Sequence, residues 1–346
     1  MVSRRRKSRK KKSSGAAGLL LAAFLVLLLA AAAGTWLVVT PFWPETETFV
    51  EVAQGSSTAR IGQQMEAAGI VRSRYAFDIL RYWKRGTLRA GEYRFDHPAP
   101  ATEIYARIAR GDVFTRAVTI PEGSSVFEIA ARLELAGFVT QQDFLDAAVK
   151  QVGLVADLDP GARSLEGYLF PDTYHFPRNF GAEQICAAMV RRFRAVAGQI
   201  GLKGNVHRVV TMASLIERET AVDAERPLVA SVFANRLAKN MPLMTDPAVI
   251  YGLELQGRWR GVLYQSDLNR NTPYNTYLHA GLPPGPVANP GIKSLRAAMQ
   301  PAQTNYLYFV AAGANPQGRS MFSRTLDQHN RNVAGYRHAP KKAGGR

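Results

Sequence analysis

Two glutamates stand at the end of an apolar, helix-forming segment that spans residues 206–220. At about 100° per residue, Glu219 projects between Met212 and Leu215 on the apolar arc of that helix, and Glu217 falls at the other edge of the arc. An apolar wall disfavours the charged form of a carboxyl group and raises its pKa towards the range that a general acid needs near neutral pH. The spacing alone does not choose between the two glutamates.

Polar and aromatic side chains that suit sugar rings and N-acetyl groups follow these acids along the chain. The candidates for supporting or substrate-binding residues are Asp246, Tyr251, Tyr274, Asn275 and Tyr277. Each tyrosine alone is compatible with a core position, and a helical glutamate could face solvent or pair with Arg218, Arg226 or Arg236. Together, near one buried acid, these residues predict a glycan cleft.

Other chemistries lack their usual motifs in this sequence. It contains no Gly-rich phosphate loop, no serine nucleophile elbow, no HExxH and no paired CxxC. We therefore expect no cofactor and no metal. The single Cys186 cannot form an intramolecular disulfide, and we expect it to be a small buried side chain.

The elements that must position the two acids lie in residues 164–338, which we expect to form a catalytic domain of mixed helices and short strands. After Asn240 the sequence is rich in Pro, Gly, Asn and Tyr, which predicts long ordered loops and short strands such as residues 306–310. The fold class is therefore α+β. Helical spacing of apolar residues covers residues 183–196, 206–220 and 226–239.

A repeat precedes this region, because Gly55-Ser56-Ser57 recurs as Gly123-Ser124-Ser125 with matching apolar positions after it. Each copy predicts a short strand, a Gly-Ser turn that caps a helix, and a second helix. We expect two related α+β units, over residues 45–117 and 118–163. The predicted second helices cover residues 75–84 and 141–151, and the first unit also contains a predicted strand, 91–95, and a predicted helix, 102–110.

The predicted units resemble LysM-type modules, in which a groove beside the helices binds N-acetyl sugars. Two other interpretations stay open at this point. The units could be a packing scaffold that positions the following domain, or their similarity could be a chance likeness of two strand-turn-helix segments.

The net charge of +17 is concentrated at the two ends of the chain. Residues 1–12 contain eight basic side chains and no acid, and the last ten residues contain four. The remaining 32 basic and 27 acidic residues leave only +5. A nucleic-acid-binding domain concentrates its basic residues on a folded face, so we expect no nucleic-acid partner. Residues 1–14 are predicted to be a basic cytoplasmic segment, and residues 339–346 a basic tail.

The uncharged stretch behind the basic run predicts a membrane anchor. Residues 13–44 carry no charge, and a transmembrane helix over residues 15–42 would match the hydrocarbon core of about 30 Å. The positive-inside rule then places the N-terminus in the cytoplasm, with the rest of the chain on the other side of the membrane. The alternative is a cleaved signal peptide, although the apolar stretch is longer than a signal peptide requires.

Six motifs give the chain a resemblance to the endolytic murein transglycosylases, the YceG-like family of membrane-anchored peptidoglycan lytic enzymes. The resemblance covers roughly residues 45–338. The motifs are ASLIERET at 213–220, ASVFANRL at 230–237, TDPAVIYG at 245–252, YNTY at 274–277, GLPPGP at 281–286 and YLYFV at 306–310.

This resemblance implies that Glu219, the glutamate before the threonine, is the catalytic acid. It implies cleavage inside glycan strands between N-acetylmuramic acid and N-acetylglucosamine, with a 1,6-anhydro end as product and no added water. Glu217 and Asp246 would tune or orient the acid, while Tyr274 and Asn275 would hold the sugar. The resemblance also implies a single-pass protein of the bacterial inner (cytoplasmic) membrane, with the catalytic domain on the periplasmic or extracytoplasmic side, that acts beside penicillin-binding synthases. A non-catalytic peptidoglycan-binding scaffold and a lysozyme-like hydrolase are the competing functions.

Overall fold

The computed structural model describes residues 14–42, 46–84, 86–312 and 319–338. Most of the predicted basic segment, up to residue 13, and the predicted tail from residue 339 lie outside the described residues. The chain divides into two compact units, of which unit 1 is Met1–Arg116 and unit 2 is Ala117–Arg346.

Helix α1 (Ser14–Val39) is the long apolar helix of unit 1. Its part from Gly18 to Val39 has 22 residues, and it is long and apolar enough to cross a membrane. At about 1.5 Å per residue this part measures roughly 33 Å, close to the thickness of the hydrocarbon core. Near its end, Val38 is buried in the hydrophobic core of unit 1.

The rest of unit 1 packs three helices against a two-stranded antiparallel sheet, in which Val50 lies opposite Tyr93. Alternate side chains of the second strand, Tyr93 and Phe95, enter the core, as the period of two along a strand requires. In chain order the elements are β1 (Thr48–Val52), α2 (Thr58–Ala67), α3 (Tyr75–Lys84), β2 (Gly91–Phe95) and α4 (Ala101–Arg110).

In its described residues unit 2 is mainly helical and contains two small two-stranded sheets, the first of which begins at Arg116, the last residue of unit 1. Its strands are β3 (Arg116–Thr119), which pairs with β4 (Thr173–Phe176), and β5 (Tyr308–Ala311), which pairs with β6 (Ser320–Ser323). Its α-helices are α5 (Val126–Leu135), α6 (Gln141–Lys150), α7 (Ala182–Ile200), α8 (Val206–Glu219), α9 (Arg226–Ala238), α10 (Asp246–Glu254), α11 (Gln265–Leu268), α12 (Ile292–Met299) and α13 (Leu326–His338). Two short 3-10 helices cover Gln151–Val155 and Asp223–Glu225.

The predicted repeat has the same local geometry in both copies. The side chains of Ser57 and Ser125 cap α2 and α5 by accepting a backbone N–H three residues later. Gly55 and Gly123 adopt φ angles of 79° and 78° in the preceding turns, a backbone region that glycine enters without steric cost. Residues 118–163, predicted as a separate unit, share one hydrophobic core with α7 and α8, because α6 packs on α7.

Helices α10 to α13 lie where the sequence predicts mainly loops and short strands. Helix α10 starts with Asp246 and Pro247, an acid and a proline in the first turn, which is a typical helix start. The predicted strand at residues 306–310 is present as β5, shifted by one to two residues. Cys186 is buried in the core, as expected.

Helix α8 is the central element of unit 2, because it contributes to two hydrophobic cores. Val210 and Ala213 pack in the core around α5 to α7, whereas Met212 and Leu215 pack in the core around α9 and α10. Helices α9 and α12 both lie against α8. The end of α8, with Glu219, is thereby held on a rigid support.

Candidate active site

Helix α8 fixes the position of Glu219, its last residue. The helix starts at the side chain of Asn205, which accepts a hydrogen bond of 2.9 Å from the backbone N–H of Arg208. Every residue from Val210 to Ile216 is buried, so the helix cannot rotate without disrupting both cores. Thr220 then adopts an extended backbone and ends the helix.

Glu219 lines a cleft with a volume of about 300 Å³. The described residues around it come from α8, α9, the loop before α10 and the start of that helix, the loop after α11, strand β5 and helix α13. The lining residues are Glu219, Phe233, Arg236, Leu243, Met244, Thr245, Asp246, Tyr277, Phe309 and His329. The cleft thus combines aromatic faces with one acid pair and one guanidinium group.

Glu219 has the electrostatic properties of a general acid. Its pKa is raised to about 7, first by burial and then by the negative charge of Asp246, against the opposing positive charge of Arg236. A carboxyl group with this pKa is protonated in a large fraction of molecules at neutral pH. It can therefore give a proton to a bound substrate.

Asp246 is held beside the acid by a hydrogen bond. The hydroxyl of Tyr277 donates to Oδ1 of Asp246 at 2.6 Å. The pKa of Tyr277 is raised, first by burial and then by this interaction, so the phenol keeps its proton. The bond satisfies one carboxylate oxygen without removing the charge that acts on Glu219.

Arg236 fixes the wall of the cleft. Its Nε donates to the carbonyl oxygen of Leu307 at 2.7 Å, and its Nη1 donates to that of Leu243 at 2.9 Å. Its guanidinium carbon lies 5.2 Å from the ring centroid of Tyr308. These contacts tie α9 to strand β5 and to the loop before α10.

His329 completes the lining of the cleft from α13. Its ring stacks on Tyr308 with the centroids 5.2 Å apart. Burial lowers the pKa of His329, and the positive charge of Arg236 lowers it further, which favours the neutral ring. Its Nδ1 atom is buried and has no hydrogen-bond partner among the described residues.

Glu217 lies outside the cleft in spite of its place two residues before Glu219. Its Oε1 accepts a hydrogen bond from Nη1 of Arg226 at 2.6 Å, and its Oε2 accepts one from the backbone N–H of Gly291 at 2.9 Å. The side chains of Glu217 and Arg226 are only 4% and 6% exposed. Glu217 therefore joins α8 to α9 and to the start of α12.

Tyr251, Tyr274 and Asn275 also lie away from the lining of the cleft. The rings of Tyr251 and Tyr274 contact each other edge to face, with centroids 5.1 Å apart. Asn275 is fully buried and donates from Nδ2 to the carbonyl oxygens of Leu268 and Arg270 at 2.8 and 2.7 Å. Its Oδ1 accepts from the backbone N–H of Tyr277 at 3.0 Å, so Asn275 shapes the loop that presents Tyr277.

Arg236, His329 and the apolar lining residues were not among the predicted site residues. Arg236 had a sequence signal, since it lies three residues after Phe233 on the same helix face and was one of three possible partners for an acid. His329 had none. In the described part of the chain, no group of three or more His, Cys, Asp or Glu side chains could hold a metal ion.

A larger and more open groove of about 540 Å³ lies beside α5 and is lined in part by Arg218. None of its described lining residues is aromatic, and Arg218 there pairs with Glu128 at 3.2 Å. Sugar rings favour aromatic faces, so the cleft at Glu219 is the better candidate for an active site.

Comparison with known proteins identifies the family of this chain. Residues 50–335 match the YceG-like family. A Bacillus subtilis protein named endolytic murein transglycosylase is 32% identical over 308 residues, which cover 83% of this chain and 84% of that protein. A Streptococcus pneumoniae protein of the same name is 31% identical over 82% of this chain, which spans only 57% of the length of that relative.

A solved structure shows a related fold. The crystal structure of a YceG-like protein from Listeria monocytogenes superposes with a TM-score of 0.54 at 33% sequence identity. The match covers 82% of this chain and 98% of that one.

Proposed function

The chain belongs to the YceG-like family, and we propose that it is an endolytic peptidoglycan transglycosylase whose catalytic acid is Glu219. The observation that carries the proposal is a half-buried glutamate with a pKa of about 7 in a cleft with aromatic walls. The names of the relatives from Bacillus subtilis and Streptococcus pneumoniae support the same activity.

The first step is proton transfer to the leaving group. The neutral carboxyl of Glu219 gives its proton to the glycosidic oxygen between N-acetylmuramic acid and N-acetylglucosamine, inside a glycan strand. The bond from that oxygen to C1 of the muramoyl residue then breaks. The N-acetylglucosamine leaves with a free 4-hydroxyl group, and Glu219 is left as a carboxylate.

The second step closes a ring within the muramoyl residue. Its C6 hydroxyl oxygen forms a bond to C1, and the proton of that hydroxyl returns to the Glu219 carboxylate. The product is a 1,6-anhydro end, no water is consumed, and the acid is restored. One carboxyl group that acts first as acid and then as base is sufficient for this sequence.

The other residues of the site support this acid in different ways. Asp246 raises the pKa of Glu219 and is oriented by Tyr277. Glu217, bonded to Arg226 and Gly291, positions the end of α8. In this proposal Tyr277 and His329, which line the cleft, contact the substrate. Asn275 orders the loop that presents Tyr277.

His329 is a substrate-binding residue in this proposal because its ring, kept neutral by burial and by the positive charge of Arg236, lines the cleft. A neutral imidazole can accept or donate one hydrogen bond to a sugar hydroxyl or an N-acetyl group. Its stacking on Tyr308 fixes the ring in the wall of the cleft. The binding of a sugar would therefore cost little side-chain entropy at this position.

The proposed setting of the enzyme is the extracytoplasmic face of the cell membrane. Helix α1 is the single-pass anchor, and the eight basic residues before it keep the N-terminus in the cytoplasm. Both units would then face the wall, where the enzyme would terminate or trim new strands beside penicillin-binding synthases. We also propose that the repeated strand-turn-helix segments bind glycan as LysM-like modules. Sedimentation of the protein with insoluble peptidoglycan tests this proposal. If the segments are only a scaffold, they will contribute nothing to the binding of peptidoglycan.

Mass analysis of digested glycan strands tests the activity. We expect the wild type to release anhydro-ended fragments and Glu219→Gln to release them about 10²- to 10⁴-fold more slowly, the usual loss when a general acid is removed. Glu254→Gln is the matched control, because the pKa of Glu254 is also raised to about 7 by burial, outside the cleft. Near-wild-type activity of Glu219→Gln would exclude the assignment. Fragments heavier by one water would indicate a hydrolase, and strand binding without new ends would indicate a scaffold.

A further inference from the structure

Two large aromatic side chains at the end of α3 are almost fully exposed. Tyr82 is 79% exposed and Trp83 is 81% exposed. Other aromatic side chains of unit 1, such as Phe77, Tyr93 and Tyr105, are fully buried in its core. Adjacent exposed Tyr and Trp side chains are unusual on a surface that only meets water, and this pair is typical of a membrane interface.

Helix α3 packs against the C-terminal part of α1. A Cβ atom at Gly34 would lie 3.7 Å from Cδ1 of Ile79, an ordinary van der Waals distance, so Gly34 of α1 faces Ile79 of α3. Arg72, just before α3, lies over the rings of Trp36 and Phe42 at 4.7 and 4.8 Å. From Arg72 to Ile79 the contacted residue of α1 moves back from Trp36 to Gly34, so the end of α3 is directed towards the N-terminal part of α1.

The burial of α1 indicates where the bilayer surface meets it. Val38 is buried in the core of unit 1, so one face of the last turn of α1 packs on that unit and not on the lipid. About 20 residues span the hydrocarbon core, and a span that starts at residue 15, behind the basic run, ends near Gly34. This is the level at which Ile79 contacts α1. Trp83 lies one helical turn beyond Ile79, on the same side of α3.

We propose that Tyr82 and Trp83 insert into the headgroup region of the extracytoplasmic leaflet and form a second membrane contact of unit 1. The exposed Lys84 beside them would reach lipid phosphates, as long basic side chains do at membrane surfaces. This inference rests on the proposed anchoring by α1. Its consequence is that unit 1 has a fixed depth and rotation at the membrane, instead of turning freely on a single helix.

Fluorescent labelling of the full chain in phosphatidylethanolamine and phosphatidylglycerol vesicles tests the proposal. Tyr82→Cys and Trp83→Cys are labelled in turn with an environment-sensitive nitrobenzoxadiazole group, and nitroxide lipids quench it from the headgroup or from deep in the acyl chains. The wild-type Cys186 can stay, because it is buried and burial raises the pKa of its thiol to about 12. Tyr75→Cys is the matched control, about 12 Å away at the other end of α3.

We expect labels at positions 82 and 83 to shift to shorter emission wavelengths and to be quenched more by headgroup nitroxides than by deep ones. The label at position 75 should be quenched less. If the labels at positions 82 and 83 emit as they do in water, the inference is wrong. It is also wrong if the labels are shielded from water but are not quenched by nitroxide lipids, a result that would indicate a protein partner. Leu27→Cys, in the middle of α1, distinguishes a failure of the proposed second membrane contact from a failure of the anchor itself. If its label is quenched by deep nitroxides, the anchor stands whatever happens at 82 and 83, and if not, the anchor itself fails.

Discussion

The hydroxyl of Tyr277 donates a 2.6 Å hydrogen bond to Oδ1 of Asp246, in the cleft that Glu219 also lines. The bond joins the start of α10 to the loop after α11, and it keeps a negative charge near the proposed acid. The electrostatic state of Glu219 therefore depends on a residue that lies on a different element of the fold.

Replacement of Asp246 should move the pH dependence of cleavage. Glu219 must be protonated to act as an acid, so wild-type activity should fall as the pH rises through about 7. Asp246→Asn removes a negative charge that raises the pKa of Glu219, so the same fall should occur at lower pH. The measurement is the rate of release of anhydro-ended fragments against pH.

Tyr277→Phe is the control for this experiment, because it removes the hydrogen bond but keeps the charge of Asp246. The pH at which its activity falls should not decrease, even if its rate is lower. If Asp246→Asn and the wild type lose activity at the same pH, Asp246 does not set the pKa of the acid.

Replacement of His329 should weaken substrate binding. His329→Phe keeps a ring that can stack on Tyr308 but removes both ring nitrogens. The loss of one hydrogen bond worth about 1 kcal/mol should raise the KM for glycan strands about fivefold, with a smaller change in kcat. His329→Asn, which keeps hydrogen-bonding groups, should retain more of the affinity. Equal KM values for the wild type and the Phe variant would contradict a substrate contact.

Features that depend on local sequence were predicted well. Helix α3 and strand β2 have the predicted bounds, and α8 ends one residue before its prediction, because periodicity and capping are encoded within a few residues. The assignment to the YceG-like family is confirmed by the match over residues 50–335. The sequence does not predict helix α10, because proline usually indicates a loop, whereas Pro247 occupies the first turn, where proline is favoured.

Features that depend on packing between distant segments were not predictable. Helical projection left Glu217 and Glu219 equivalent, and their separation comes from α9 and α12, which supply the partners of Glu217. His329 reaches the cleft only because α13 packs on β5 and β6. The buried role of Asn275 follows from the course of its loop, which no periodicity encodes.

The buried ion pair between Glu217 and Arg226 should be important for stability. Glu217→Ala leaves the guanidinium of Arg226 buried without its closest carboxylate, which should lower the free energy of unfolding by about 3–5 kcal/mol. The double variant Glu217→Met with Arg226→Met removes both charges and should recover a large part of that loss. Urea unfolding of the full chain in detergent measures both values. A loss below about 1 kcal/mol for Glu217→Ala would match a solvent-exposed pair instead.

Glu166 should make the stability of unit 2 depend on pH. Its Oε2 accepts from the backbone N–H of Val126 at 2.8 Å and its Oε1 accepts from Nδ2 of Asn289 at 2.7 Å, in a site where burial raises its pKa to about 8. Because the pKa is raised on folding, this group stabilises the fold fully below its unfolded pKa near 4.5, and the contribution is lost as the pH rises towards 8. The side chain of Glu166→Gln cannot ionise, so the free energy of unfolding of this variant should fall less between pH 5 and pH 8 than that of the wild type. The control is Glu183→Gln, at an exposed position on α7, whose free energy of unfolding should depend on pH as in the wild type. Parallel slopes for Glu166→Gln and the wild type would show that Glu166 is ionised in the folded protein, in which case its two N–H donors outweigh the cost of burial.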